Sequence, residues 1–266
     1  MAFTFVQITD HHLGEREDTL LRGYNPAHAL RTVLRHIAEH EQFDFLVSTG
    51  DLVDHADSYR TFCQMFQLQP AAAAPGPAVV TIEGLHACPV YFLPGNHDDR
   101  EHFYAHLFSR ATSPGTLMHA AFQHKGIQFL CLDWGPGGLA RVHPEMIAFL
   151  KSSLSTGLPS VIFTHHHLVP TGDPFMDSFL PNPEEAQAFW KIVDQHQRHI
   201  LGIFSGHAHV TYETVVAGVP TYGLRSTSYQ FATLNNNVVC LLQAPHYRVV
   251  TIDQGTITSR IVEVDL

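Results

Sequence analysis

The sequence predicts an α/β protein in which a second β-sheet packs on the first. Two observations predict it. Short apolar runs ending at turns alternate with stretches of helical period. From Val219 onward the chain turns β-rich, with strand-like segments separated by Gly, Pro and Asn turns, as a second sheet laid on the first would read. A chain of 266 residues can bury a large core without staples, and a single domain, 1–266, is expected.

Phe3–Thr9, Phe45–Thr49, Val90–Pro94, Ser160–Thr164 and Ile200–Ser205 are apolar runs of strand length, each ending at a turn. Between the first two, Asn25–His40 carries Ala29, Leu30, Val33, Leu34, Ile37 and Ala38 on one helical face. Pro26 suits its first turn and Asn25 its N-cap. Ser58–Phe66 reads as a second, short helix. Pro70–Pro77, with four consecutive alanines, reads as a linker or turn before an extra strand at Ala78–Ile82. Arg100–Ser109, Pro144–Leu154 and Glu184–His196 read as further helices, with Asp98 and Asp99 as caps of the first. The β-rich end comprises Val219–Leu224, Val238–Leu242, Tyr247–Ile252 and Thr256–Val264. No internal repeat or heptad run is present.

Composition narrows the function classes. A net charge of −10 argues against long nucleic acids, since a polyanion needs a basic face. Cys63, Cys88, Cys131 and Cys240 are widely spaced, which disfavours zinc–thiolate sites and a disulfide framework and favours the cytoplasm. The first strand begins at once, without a signal-like segment, and no apolar run is long enough for a bilayer, so no membrane role is expected. The 21 histidines are the compositional anomaly.

Each of the five strand ends carries metal-binding side chains: Asp10-His11-His12, Gly50-Asp51, Gly95-Asn96-His97-Asp98, His165-His166-His167 and Gly206-His207-Ala208-His209. They are expected on one side of a sheet. Asp10 and His12 can reach one ion, Asp51 has two oxygens and can bridge two, Asn96 offers a neutral carbonyl, and His165, His207 and His209 add nitrogens. Seven ligands with one bridge supply four to each of two cations, leaving room for a water and a substrate oxygen, the arrangement of a two-metal hydrolase. Two divalent cations, two aspartates and a bridging hydroxide leave a site charge of about +1, which matches a phosphodiester monoanion.

These blocks resemble the calcineurin-like metallophosphoesterases, whose motifs D-x-H, G-D, G-N-H-[DE], H and G-H-x-H occur here in order from Asp10 to His209. The resemblance implies a four-layer α/β/β/α sandwich with two mixed β-sheets. It implies that Asp10, His12, Asp51 and His209 hold one metal, and that Asp51, Asn96, His165 and His207 hold the other. His97 is implied not as a ligand but as a group near the phosphate that stabilises the transition state or protonates the leaving oxygen. Gly95–Phe103, Thr164–Thr171 and Ser226–Phe231 are most similar to class III cyclic nucleotide phosphodiesterases and bacterial glycerophosphodiesterases. Relatives usually have proline where this chain has His167; the first histidine after the strand, His165, is the implied ligand.

The implied activity is hydrolysis of a small phosphodiester, foremost a 3′,5′-cyclic nucleotide such as cyclic AMP, by in-line attack of a hydroxide held between the ions. Mn, Fe, Zn or Co suit the donor set. The alternatives on the same scaffold are a phosphomonoesterase or protein phosphatase and a glycerophosphodiester hydrolase. A nucleotide-sugar lipid hydrolase would carry arginine in place of His97. Dimers are common in the relatives, so a homodimer is expected by analogy. His11 reads as structural, and Asp54 and His55 as support or a cap. Arg100 reads as a helix-surface residue. Substrate contacts are expected from Asn96, His97, His166 and Arg225. The loops Leu168–Pro183, with Phe175, Met176 and Phe179, and Arg225–Phe231, with Tyr229 and Phe231, are the candidate pocket walls.

Overall fold

A computed structural model describes residues 2–68, 78–80, 88–113 and 115–266. The first half of the chain runs β1 (Phe3–Ile8), α1 (Pro26–His40), β2 (Phe45–Ser48), α2 (Tyr59–Met65), β3 (Ala78–Val80), β4 (Cys88–Phe92) and α3 (Arg100–Phe108). It continues with β5 (Ala120–His124), β6 (Ile127–Leu132), α4 (Pro144–Leu154), β7 (Ser160–Thr164), α5 (Pro174–Asp177), α6 (Pro183–His196) and β8 (Ile200–Ser205). The last part is β9 (Tyr212–Val216), β10 (Val219–Gly223), β11 (Gln230–Leu234), β12 (Asn237–Leu241), β13 (His246–Asp253) and β14 (Thr256–Glu263). The linker expected at Pro70–Pro77 lies outside the described residues; of the strand expected at Ala78–Ile82, Ala78–Val80 is strand and the rest lies outside them.

Two six-stranded mixed sheets result, in the orders β14-β13-β1-β2-β4-β3 and β5-β6-β7-β8-β10-β9, with β11-β12 as a separate hairpin. In the first, β1, β2 and β4 are parallel; in the second, β6, β7, β8 and β10 are. Parallel neighbours need crossovers, and α1 returns the chain from β1 to β2 as α4 and α6 do between β6, β7 and β8. The crossover helices lie outside. Leu30, Val33, Leu34 and Ile37 of α1 bury against the outer face of the first sheet, and Met146, Leu150, Phe189 and Val193 of α4 and α6 against the second. Between the sheets sits a phenylalanine-rich layer of Phe3, Phe5, Phe45, Phe129, Phe163 and Phe204. Phe5 and Phe45 stack at 5.2 Å, and Phe163 meets Phe5 edge-on at 5.5 Å. The four layers are therefore α/β/β/α, as expected. Asn25 caps α1 by accepting from the His28 N–H, also as expected.

Three expectations are corrected. The strand placed at Val90–Pro94 is β4, Cys88–Phe92, so Pro94 already belongs to the turn. Sequence pattern assigns no strand between Ser109 and Pro144, yet β5 and β6 form a hairpin there, turned at Lys125 (φ 46°) and Gly126 (φ 82°). The β-rich end does not build the second sheet. Its β10 joins that sheet, β11-β12 stands alone, and β13-β14 returns to the first sheet, where β13 pairs antiparallel with β1. Local pattern is blind to such long returns. Among the described residues no helix is long and apolar enough to cross a membrane.

Candidate metal centre

The seven ligand candidates gather at the C-terminal ends of five strands, but from both sheets rather than one. β1 delivers Asp10 and His12, β2 Asp51, and β4 Asn96; β7 delivers His165, and β8 His207 and His209. Backbone hydrogen bonds lace these ends together. Asp10 N–H donates to Gly50 O at 2.9 Å, His12 N–H to Asp51 O at 2.9 Å, and Gly206 N–H to His165 O at 2.9 Å. Gln7 spans the sheets, its amide donating to Thr49 Oγ1 at 3.1 Å and to Ser205 O at 3.2 Å.

Asp10, His12, Asp51, His207 and His209 all lie in the left-handed region, with φ between 48° and 65°. A non-glycine residue there is uncommon, and strain of this kind concentrates at functional sites. The motif glycines are needed for close approach. A Cβ on Gly50, itself at φ 102°, would stand 2.5 Å from His165 Nδ1, and one on Gly206 would overlap Thr9 Oγ1.

Two clusters form: Asp10, His12 and His209; and Asp51, His165 and His207. Asp51 Oδ2 lies 3.5 Å from His12 Nε2 and 3.4 Å from His165 Nε2, within reach of both. Asp10 Oδ1 is 3.3 Å from His209 Nε2, and Asn96 Oδ1 is 3.0 Å from His165 Nε2. A third group, His12, Asp54 and His97, shares His12 with the first.

The donor set fits divalent cations. His209 Nδ1 faces Tyr229 O at 2.6 Å and His165 Nδ1 faces Thr49 O at 2.8 Å. A carbonyl only accepts, so each Nδ1 carries a hydrogen and Nε2 is the nitrogen turned inward, able to give its lone pair to a metal cation in place of a proton. The carboxylates of Asp10 and Asp51 and the carbonyl of Asn96 face the same space. His207 Nε2 is buried without a hydrogen-bond partner. Converging buried acceptors call for a cation.

Electrostatics agree. Burial would raise the pKa of Asp10 and Asp51, but the neighbouring imidazoles hold both below the usual range. Burial would lower that of His165, but Asp51 and then Asp10 outweigh it and raise it to about 9: negative charge here attracts any cation, a proton included. His207 is held far below the usual histidine range by burial and by His166 and His165, so it stays a neutral donor.

The residues around the clusters divide. His11 is structural, as read: Nδ1 meets Thr227 Oγ1 at 2.7 Å and Nε2 meets Ser48 Oγ at 2.8 Å. Asp54 supports the site, with Oδ1 3.6 Å from both His12 Nδ1 and His97 Nδ1. His97 sits at the cleft, its N–H donating to Asp51 Oδ1 at 2.8 Å and its Nδ1 lying 3.2 Å from Asp54 O. Burial opposes its charged form, but Asp51 and Asp54 raise its pKa. Asp99 caps α3, whereas Asp98 does not. Asp98 is buried and accepts from Leu52 N–H, Gly95 N–H and Tyr59 OH, which locks the Gly95–Asp98 turn onto the end of β2.

Arg100 is no surface residue. It is buried and makes a two-pronged ion pair with Asp133 while donating to Gly95 O at 2.5 Å and Asp98 O at 2.6 Å. Asp133, which closes β6, was missed with its strand. Two of the expected substrate contacts do not line the cleft. His166 is buried, with Nε2 facing Gly137 O at 2.9 Å, and packs against His207 away from the cleft. Arg225 reaches His246 Nε2 at 2.8 Å and Glu263 Oε2 at 3.7 Å, so its guanidinium already has partners away from the cleft lining. His167 is buried and stacks on His207.

The cleft over the clusters encloses about 290 Å³ and is lined by His12, Asp51, Asn96, His97, His207 and His209 on its floor. Phe175, Met176, Phe179, Tyr229 and Phe231 form its walls, as expected for both loops, and Arg22, which the sequence reading missed, stands at its rim.

Residues 3–211 match the family profile described as calcineurin-like phosphoesterase. The chain is 27% identical over 269 residues to a 3′,5′-cyclic adenosine monophosphate phosphodiesterase, CpdA, of Vibrio vulnificus, covering 98% of this chain and 89% of that protein. It is 26% identical over 165 residues to a glycerophosphodiester phosphodiesterase, GpdQ, of Enterobacter lignolyticus, covering 59% of this chain and 54% of that one. A purple acid phosphatase from yellow lupin shares the fold, with a TM-score of 0.65 at 13% identity; the alignment spans 99% of this chain and about half, 52%, of the lupin chain.

Proposed function

The chain belongs to the calcineurin-like phosphoesterase family, and from that premise we propose that it hydrolyses a small phosphodiester, foremost a 3′,5′-cyclic nucleotide such as cyclic AMP. The observation that carries the reading is Asp51 Oδ2, equidistant within 0.1 Å from His12 Nε2 at 3.5 Å and His165 Nε2 at 3.4 Å, on the floor of an aromatic-walled cleft. Asp10, His12, Asp51 and His209 would hold one cation, and Asp51, Asn96, His165 and His207 the other. Mn, Fe, Zn or Co suit carboxylate, amide and imidazole donors. Bound there, such ions would supply an activated water and neutralise charge on the phosphoryl oxygens.

This chain's own side chains do the rest. Tyr229 O and Thr49 O fix the rings of His209 and His165, so both donor nitrogens are aimed before substrate arrives. Arg100 and Asp98 hold the Gly95–Asp98 turn, and with it Asn96 and His97, rigidly over Asp51. His97 Nδ1 is engaged by Asp54 O, which leaves Nε2 to hold a proton for the departing oxygen. Phe175, Phe179, Tyr229 and Phe231 offer the flat apolar wall that a purine needs. Cys63, Cys88, Cys131 and Cys240 are all free, which suits the reducing cytoplasm as the place of reaction.

The test is turnover of cyclic AMP, bis(p-nitrophenyl) phosphate and p-nitrophenyl phosphate by the Mn-loaded protein, alongside metal content and turnover of Asp51→Asn. Both diesters should be cleaved well ahead of the monoester, and Asp51→Asn should lose metal and activity together. Preference for the monoester would overturn the diesterase reading. An Asp51→Asn protein with two metals and near wild-type turnover would remove the bridge.

A further inference from the structure

Arg22 stands on a turn that the metal chemistry does not use. Leu21 and Tyr24 exchange two backbone hydrogen bonds of 2.8 and 2.9 Å across it. Arg22 (φ 53°) and Gly23 (φ 80°) both lie in the left-handed region, the pattern of a two-residue type I′ hairpin turn. Leu21 and Tyr24 pack with Tyr229 and Phe231, so the turn is anchored although the Arg22 side chain is exposed. Its guanidinium carbon lies 5.3 Å from the ring centre of Tyr229 and 5.2 Å from that of Phe231, within the roughly 6 Å of a cation–π contact.

Two further observations give this placement a consequence. Among the described residues Arg22 has no carboxylate partner, and it is the only Lys or Arg lining the cleft. Its fork carries five N–H donors; a side-chain hydrogen bond goes to the Tyr229 hydroxyl, and the remaining donors are open to a ligand. The wall beside it is an arc of rings joining the two ligand clusters. Phe179 lies 5.6 Å from His207 and 5.1 Å from Phe175, Phe175 lies 5.9 Å from Phe231, and Phe231 lies 5.1 Å from His209. An aromatic wall of this kind accepts two kinds of guest, a planar base or a quaternary ammonium group. The faces of Tyr229 and Phe231 already carry a cation. A second cation would meet like charge, whereas ring nitrogens and carbonyl oxygens of a base would meet unused donors.

We propose that Arg22 selects the organic part of the substrate: it admits a neutral planar base rich in acceptors and excludes a cationic head group. The inference deepens the phosphodiesterase reading and rests on it. Arg22 contributes specificity without touching the reacting phosphorus. Arginine suits this role better than lysine, because its planar fork stacks and donates at once.

The experiment compares kcat and KM of wild type, Arg22→Ala and Arg22→Lys, Mn-loaded, on cyclic AMP, bis(p-nitrophenyl) phosphate and glycerophosphocholine. Arg22→Ala should lose roughly 10- to 100-fold in kcat/KM on cyclic AMP, mainly through KM, the size expected for hydrogen bonds to a charged group. Its loss on bis(p-nitrophenyl) phosphate should be several-fold smaller, and its activity on glycerophosphocholine should rise. Arg22→Lys keeps the charge but not the fork, so it should lose cyclic AMP activity and still reject glycerophosphocholine. Metal content and thermal midpoint, measured alongside, should be unchanged. Parallel losses on all three esters would make Arg22 a phosphate ligand and overturn the proposal, as would no change on any. If wild type cleaves bis(p-nitrophenyl) phosphate but ignores cyclic AMP, the substrate reading fails on its own. Arg22 is then judged by glycerophosphocholine alone, where a gain in Arg22→Ala upholds exclusion and no gain overturns it.

Discussion

His97 and Asp51 are neighbours, and their geometry separates them. Asp51 faces both ligand clusters, whereas His97 touches Asp51 only through its backbone N–H and presents its ring to the cleft. His97→Ala should therefore keep both metals while slowing the chemical step by about 10²–10⁴-fold, the range for general acid catalysis. The loss should shrink for esters with a good leaving group such as p-nitrophenolate. Measured kcat across leaving groups checks this; an equal loss on all would assign His97 to phosphate binding instead. At this scale the candidate ligands were legible, because carboxylate, amide and imidazole in five ordered motifs leave few other uses. Their backbone was not. Nothing in the residues Asp10, His12, Asp51, His207 and His209 announces positive φ, which the hydrogen-bonded ends of neighbouring strands impose. Arg100 was misread for a related reason: a helix-surface position by period becomes a buried one once Asp133 is folded beside it.

Part of the cleft wall rests on α5, a single short turn of helix that sequence pattern did not reveal and that carries Phe175 and Met176. Asp173 caps it by accepting from Phe175 N–H at 2.9 Å and Met176 N–H at 3.2 Å. The same carboxylate accepts from Thr233 N–H at 2.7 Å and Thr233 OH at 2.9 Å on β11. One side chain thus joins the two loops that carry Phe175 and Phe231. Asp173→Ala should cost about 0.5–2 kcal/mol, the value of an N-cap. More specifically, it should raise KM for cyclic AMP while metal content stays at wild type. Calorimetry and steady-state kinetics read the two effects; an unchanged KM would free the loops from this latch. The pairing of Leu168–Pro183 with the Arg225–Phe231 region as pocket walls was legible from their aromatic content. That Arg22 rather than Arg225 supplies the guanidinium was not, since the two differ only in what folds against them.

Over the whole molecule, the two sheets are tied by polar bridges as well as by phenylalanine. Gln7 joins them at the metal end, and Arg248 of β13 joins them elsewhere, donating to Glu213 Oε1 at 2.6 Å and Gly223 O at 3.0 Å. Arg248 is fully buried, whereas the Glu213 side chain is 56% exposed. Burial pushes the Arg248 pKa down, and Glu213 opposes that shift. The pair should respond asymmetrically. Glu213→Ala leaves the buried Arg248 charge with only Ser259 Oγ and Gly223 O as acceptors and should be the more costly of the two changes. Arg248→Met leaves only a carboxylate that water can solvate and should cost less. Urea denaturation of both variants checks the order, and the reverse order would show that the arginine's packing outweighs its charge. The sequence by itself determined the layered α/β architecture, most helices, and the set of candidate metal-ligating side chains that the fold gathers. Each follows from local period or from side-chain chemistry, and both are written along the chain. Only the tertiary structure decided which sheet each late strand joins, that the ligands come from both sheets, and that His166 and Arg225 turn away while Arg22 stands at the cleft. Those choices depend on contacts between residues far apart in the chain, whose free energies appear only when the sheets close on one another.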